Sequence, residues 1–303
     1  MMHRREILSG ALAAAGGAPL ALSHHACAED DAARSDSAQP AQPFVDSNVS
    51  LFQWPFRRLP LDDSRELRKK LRALGFVEAW AGSFESVLHR DIAGVNSRLV
   101  AACREFSELT PIGSINVNLT AWENDLDSCL EQSEMPGVRL YPNYHGYALD
   151  DARFIELVKR ATAARRFVQI AVAMEDTRTQ HDLVRTADVD LTPLSATLRQ
   201  ITGARVQLLN YRPRGPLLDE LAKTPGVFFD TARVESTDGV AKLLRSVPAG
   251  RVVFGSHSPF LIPEAALIRA HESGLTVEQM RAVMTENAGL LRFEPASTKT
   301  DKQ

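Results

Sequence analysis

From Phe44 onward, short apolar runs alternate with longer stretches whose apolar residues recur every three or four positions. The runs Phe44–Ser50, Phe76–Ala81, Pro111–Val117, Gly137–Tyr141, Phe167–Ala173, Arg205–Asn210, Gly226–Asp230 and Arg251–Ser256 predict strands. They are short and mostly apolar, as strands covered on both faces should be. The stretches between them predict helices with their own punctuation. Asp63 and Ser64 can cap a helix that places Leu67, Leu71 and Leu74 on one face, and Gly75 can stop it. Pro216 opens another that runs to Lys223, and Thr276 with Gln279 forms a capping box for a last helix ending near Leu291. Eight strands in strict alternation with helices predict a single-domain α/β fold, the (β/α)8 TIM barrel. An open doubly wound sheet is the rival, and it is disfavoured because no glycine-rich phosphate loop follows a strand.

The first 42 residues break this pattern. His3, Arg4 and Arg5 precede an apolar, Ala-rich run from Ile7 to Leu22, and Ala26-Cys27-Ala28 reads as a cleavage site. Residues 1–28 therefore read as an export signal of twin-arginine type, which predicts a periplasmic or extracellular protein with no membrane span after cleavage. Residues 29–42 read as a flexible leader, 43–293 as the barrel and 294–303 as a disordered tail. A formal charge of -3 gives no electrostatic footprint for nucleic acid. Three cysteines are too few for a disulfide scaffold or a Cys-based zinc site. Cys103 and Cys129 remain after cleavage, and an oxidising compartment would permit them to pair.

In a TIM barrel, chemistry sits at the C-terminal ends of the strands. Strand one leads into Asp46-Ser47-Asn48-Val49-Ser50 and Trp54-Pro55-Phe56-Arg57, and strand four into Arg139-Leu140-Tyr141-Pro142-Asn143-Tyr144-His145. Strand five is followed by Glu175, Asp176, Arg178 and His181, strand six by Asn210 and Arg212, strand seven by Asp230 and Arg233, and strand eight by Ser256-His257-Ser258-Pro259. The Asp46 opening with Trp54-Pro55-Phe56-Arg57 resembles the amidohydrolase-related (amidohydrolase 2) family of the metal-dependent hydrolase superfamily. So do Gly137-Val138-Arg139-Leu140-Tyr141-Pro142, Phe254-Gly255-Ser256 with Pro259, and the closing Glu286-Asn287-Ala288-Gly289-Leu290-Leu291. The resemblance implies a TIM barrel over essentially all of Phe44 to Phe293, a hydrolase-like activity on a small molecule, and the dimeric or larger assembly frequent among relatives.

The resemblance also implies metal ligands, and here this sequence departs from the pattern. The His-x-His of strand one is Asn48-Val49-Ser50, the strand-five position is Ala171, the strand-six position is Asn210, and the strand-eight Asp is His257. Metal sites need several neutral imidazoles or carboxylates converging on one point, so no metal or other cofactor is expected. Zinc or another divalent ion held by a rebuilt set, His145, His181, His257 and Asp230, is the alternative. Without a metal, His257 is the candidate base, Arg139 the candidate oxyanion group and Asp230 the candidate partner that orients His257 or pairs with Arg233. Asn48, Ser50, Tyr141, His145, Asp176, Arg178, Asn210 and Arg212 are candidate substrate contacts. The substrate expected is a small ester, lactone or amide, anionic in character. A barrel that only binds a small ligand or a protein partner is the other reading.

Overall fold

Each predicted strand meets its neighbour in parallel, and together they close a barrel. The computed structural model describes residues 43–293. Its strands are β1 (Phe44–Leu51), β2 (Phe76–Ser83), β3 (Leu109–Pro111), β4 (Gly113–Ser114), β5 (Gly137–Leu140), β6 (Phe167–Ala171), β7 (Val206–Leu209), β8 (Val227–Asp230) and β9 (Val252–Val253). β1, β2 and β3 form one hydrogen-bonded set, and β4 to β9 form another in sequence order. β3 and β4 are two parts of one stave, bridged at Ile112, whose N–H donates to the Ala81 carbonyl at 2.9 Å. The last stave closes on the first: the Ser47 N–H donates to Phe254 O (3.0 Å), and that of Ser50 to Ser258 O (2.9 Å). Eight staves result, as the alternation predicts. The export signal, leader and tail expectations fall outside the described residues.

The helix signals act locally as read. Asp63 accepts from the backbone N–H groups of Arg65 and Glu66, and Leu67 and Leu71 are buried. Gly75 takes φ of 90°, the left-handed region open to glycine. The Gly215–Lys223 helix starts one residue before Pro216, and the Thr276–Gln279 capping box is complete. The helical run behind that box contains a π-helical turn over Ala282–Glu286, so its pitch changes before Leu291. Cys103 and Cys129 are buried free thiols.

Two features of register set up the interior. β1 pairs with β2 through Asp46↔Ala79 and then Val49↔Ala81, so three steps on β1 match two on β2. This bulge turns Ser47 and Asn48 toward the barrel axis. Farther round, Arg139 pairs with Gln169 and Gln169 with Gln207. Residues paired in parallel strands point to the same side, so these three form one polar layer.

Candidate functional site

That layer is a closed hydrogen-bond circuit. The Arg139 guanidinium donates to Gln169 Oε1 (2.8 Å), the Val49 carbonyl (2.8 Å), Ser50 Oγ (3.3 Å) and the Trp80 carbonyl (3.2 Å). Gln169 Nε2 donates to the Ser47 carbonyl and to Gln207 Oε1, both at 2.8 Å. Gln207 Nε2 donates to Ser47 Oγ (2.7 Å), which donates to the Phe254 carbonyl (2.7 Å). Arg139 is buried, and desolvation lowers its pKa from the usual arginine value. Gly82 makes room for it: a Cβ there would lie 2.7 Å from Arg139 Nη1.

Above this layer, at the strand ends, stand Asp46, Asn48, Asn210 and Asp230, all buried. Asn48 Nδ2 donates to Asn210 Oδ1 (2.8 Å) and Asp230 Oδ2 (2.7 Å). Asn210 Nδ2 donates to the Ala173 carbonyl (2.7 Å), which fixes its oxygen toward Asn48. The Asn210 backbone takes φ of 60°, a region asparagine tolerates, and its N–H points at the Asp230 carboxyl at 3.1 and 3.2 Å. Asp46 Oδ1 accepts from the backbone N–H groups of Asn48 (3.0 Å) and Ser256 (2.9 Å), while Asp46 Oδ2 has no partner. Burial raises the Asp230 carboxyl to about 7 against the hydrogen bonds it accepts, with the Asp46 charge adding to the rise. Burial likewise raises Asp46 to about 6, opposed by hydrogen bonds from Ser256 and Asn48 and by the charge of Arg139.

His257 occupies a different place from the one expected of a base. Its ring Nε2 lies 2.8 Å from the Met174 carbonyl, and its ring stacks on Phe260 at 4.9 Å. Bonded to a carbonyl, Nε2 carries the proton. Burial pushes its pKa down to about 3, helped by the charges of Arg233 and Arg139, so the ring is neutral. The expected Asp230–His257 and Asp230–Arg233 links are not made. Asp230 bonds Asn48 and Asn210, and Arg233 Nη2 donates to the Met174 carbonyl at 3.3 Å.

The remaining candidates divide into a lining and a rim. Tyr141 is buried, with its hydroxyl donating to the Ser83 carbonyl (3.4 Å). The His145 ring Nε2 meets the Ser86 carbonyl (2.9 Å), and burial lowers its pKa. At the rim, the Arg178 guanidinium holds Asp176 well below the usual carboxylate range, and Arg212 pairs with Asp176 (3.8 Å) and Asp188 (3.5 Å). His181 is exposed there and accepts from the Leu183 N–H. A cover closes the mouth. Trp54 meets Phe84 and Phe260 edge-on at 5.4 and 5.0 Å, and Arg57 beside it pairs with buried Glu175.

Sequence reading missed Asp46 and Glu175 as site residues, and Gln169 and Gln207 as the layer beneath. Asp46 was detectable as an acid near the start of β1, beside Val45 in a strand buried along most of its length. The Arg57–Glu175 pair spans distant loops and leaves no local signal.

No protein-family model matches this chain, and a search of curated proteins returns no match. Solved structures do match. One is a dihydroxybenzoic acid decarboxylase from Polaromonas with bound manganese and 2-nitroresorcinol: TM-score 0.62, 11% identity, covering 83% of this chain and 97% of that one. Another is 5-carboxyvanillate decarboxylase from Sphingomonas paucimobilis: TM-score 0.66, 9% identity, covering 84% and 100%. A third is a protein assigned as 2-pyrone-4,6-dicarboxylic acid hydrolase in Pseudomonas putida: TM-score 0.59, 17% identity, covering 83% and 97%.

The residues here do not fit a manganese-type centre. The Asn48 amide nitrogen, which has no lone pair to offer, occupies the space between Asn210 Oδ1 and Asp230 Oδ2. Ala171 cannot ligate, and His145, His181 and His257 each face a separate partner. Among the described residues no three His, Cys, Asp or Glu side chains group as a metal site. The chain thus shares the TIM-barrel fold of these decarboxylases and of that hydrolase.

Proposed function

We propose that this protein is an exported hydrolase-like enzyme acting on a small anionic ester, lactone or amide, with Asp230 as the proton acceptor. The carrying observation is the Asp230 carboxyl, held near 7 at the strand ends where barrel enzymes do their chemistry. At neutral pH a base with that pKa combines a substantial ionised fraction with useful basicity. Neutral His257, with Nε2 bonded to a carbonyl, is a poorer base and serves instead to hold Met174 against the cover. In the hydrolytic step, water attacks the acyl carbon, Asp230 takes the water proton, and that proton passes to the leaving oxygen or nitrogen. The acyl–heteroatom bond breaks to give an acid and an alcohol or amine. Arg178 and Arg212 stand at the rim to receive an anionic group on the substrate. Substrate reaches Asp230 by displacing Trp54 and Phe260.

The second reading is a barrel that binds a small ligand without turnover. It is favoured by the buried cover and by Asn48 and Asn210, whose amide donors are engaged internally. Turnover of a lactone and aryl-ester panel separates the two. The enzyme reading expects saturable hydrolysis that Asp230→Asn abolishes while circular dichroism is unchanged. The binding reading expects no hydrolysis by either protein and a ligand-dependent rise in Tm. Hydrolysis that survives Asp230→Asn intact overturns the assignment of the base.

A further inference from the structure

The cover over the mouth has two halves, held in different ways. The Phe260 half is built into the barrel. The Ser50 N–H donates to Ser258 O (2.9 Å), the Leu261 N–H to His257 O (3.1 Å) and Ser256 Oγ to Ser258 Oγ (2.7 Å), while His257 Nε2 meets the Met174 carbonyl. The Trp54 half has no such ties. Among the described residues, no hydrogen bond joins the backbone of residues 53–57 to the rest of the barrel. That loop rests on side chains alone: Trp54 against Phe84 and Phe260, and Phe56 stacked on the His181 ring at 5.6 Å. Arg57 adds its pair with buried Glu175 and lies 5.6 Å over the Phe260 ring. At the exit, Asp62 accepts from the Arg58 guanidinium and the Leu59 N–H, a turn contained within residues 58–62, and Leu59 is buried.

The closed position is costly for this loop. Phe52, at its entry, takes φ of 68°, and Leu61, in the exit turn, φ of 62°. Both lie in the left-handed region, where the Cβ of a non-glycine residue crowds the backbone. The Trp54 indole N–H is buried without an acceptor. An unpaired N–H in a dry site favours any arrangement that returns it to water. Aromatic contacts and one ion pair thus hold the loop against backbone strain and an unpaired donor, the balance expected of a bistable element.

We propose that residues 53–57 are a lid over the barrel mouth, hinged at Phe52, anchored at the 58–62 turn and latched by the Arg57–Glu175 pair. In the open position water reaches both the Trp54 indole N–H and the Glu175 carboxylate, so neither is left dry when the latch breaks. Asp230 is buried and Phe260 sits on a tied backbone, so the Trp54 side is the part that swings clear. The lid as a gate to Asp230 rests on the hydrolase reading, whereas its motion does not.

Hydroxyl-radical footprinting of the whole protein, read by mass spectrometry at each tryptophan, tests the lid. Trp80 and Trp122 are buried in the core and serve as references. Trp54 is 2% exposed and Trp80 0%, so a static cover would protect both alike. Trp54 is expected to be labelled several-fold faster than Trp80. Arg57→Ala, and separately Glu175→Gln, which keeps the shape and removes the charge, should each raise the Trp54-to-Trp80 ratio several-fold further. Arg57→Lys, which keeps the charge, should raise it less than Arg57→Ala does. Trp54 labelling as slow as that of Trp80 in the wild type, or latch variants that leave the ratio unchanged, overturns the lid. This labelling pattern in a protein that hydrolyses nothing removes the role of Asp230 and leaves the lid standing.

Discussion

The barrel interior holds two polar layers, one above the other, and they are built on different terms. In the lower layer, Ser47, Gln169 and Gln207 are neutral, and the Arg139 guanidinium is met by carbonyl, amide and hydroxyl oxygens. The upper layer carries two carboxyls forced toward neutrality, Asp46 and Asp230, and one of their oxygens lacks a partner. A circuit of matched donors and acceptors gives rigidity and leaves nothing to react. A pair of acids with raised pKa values leaves protons that can move near neutral pH. The lower layer is scaffold, and the upper layer is where proton chemistry is available.

Replacing Arg139 with Met is the severest way to break that division. It strands the Val49 and Trp80 carbonyls and Gln169 Oε1 in a dry interior, so a loss of about 3 kcal/mol or more is expected. A lowered urea midpoint with unchanged slope would show it. If the variant unfolds at the wild-type midpoint, the lower layer is not the scaffold.

Asp230→Asn keeps the shape of the upper layer and removes its proton. Under the hydrolase reading, kcat/KM falls on the order of a hundredfold or more. The wild-type rate should also rise with pH through about 7, as Asp230 ionises. A rate profile flat across that range would count against Asp230.

The same groups sharpen the comparison through stability. Asp46 and Asp230 have folded pKa values above the unfolded ones, so the stability they contribute is complete below about 4 and is lost as pH rises through about 6 and 7. His257 has a folded value below its unfolded one, so its contribution is complete above about 6.5 and is lost as pH falls toward 3. These slopes oppose each other between about pH 4 and 6.5. His257→Asn should uncover the acids, giving stability that falls with rising pH over that interval. Asp230→Asn should do the reverse, favouring the His257 slope. Denaturant midpoints measured at pH 4 to 8 would separate them.

The smallest effect concerns the thiols. Burial pushes Cys103 and Cys129 up to about 12, so both should be inert to a thiol-reactive dye until the protein unfolds, and reductant should leave Tm unchanged. Labelling of the folded protein within minutes would contradict their burial.

The staves were legible in the sequence because an apolar run covered on both faces is a local property, and so were the caps at Asp63 and Thr276. The positions of Asn48, Arg139, Asn210 and Asp230 followed from those staves, since barrel geometry sends the ends of strands to one face. Their roles did not follow. Asn48 and Asp230 are separated by 182 residues, and Arg139 meets the Val49 carbonyl across 90. His257 read as a base because an isolated imidazole titrates near neutrality, and Asp230 read as its helper. Burial reverses that order, lowering the imidazole and raising the carboxyl, and burial exists only once the chain has closed. Sequence alone therefore determined the eight-stave barrel and the residues at its mouth. Tertiary structure decided which of them hold protons and which only hold each other. Periodicity acts between neighbours along the chain, whereas desolvation and hydrogen-bond partnership act between segments that only folding brings together.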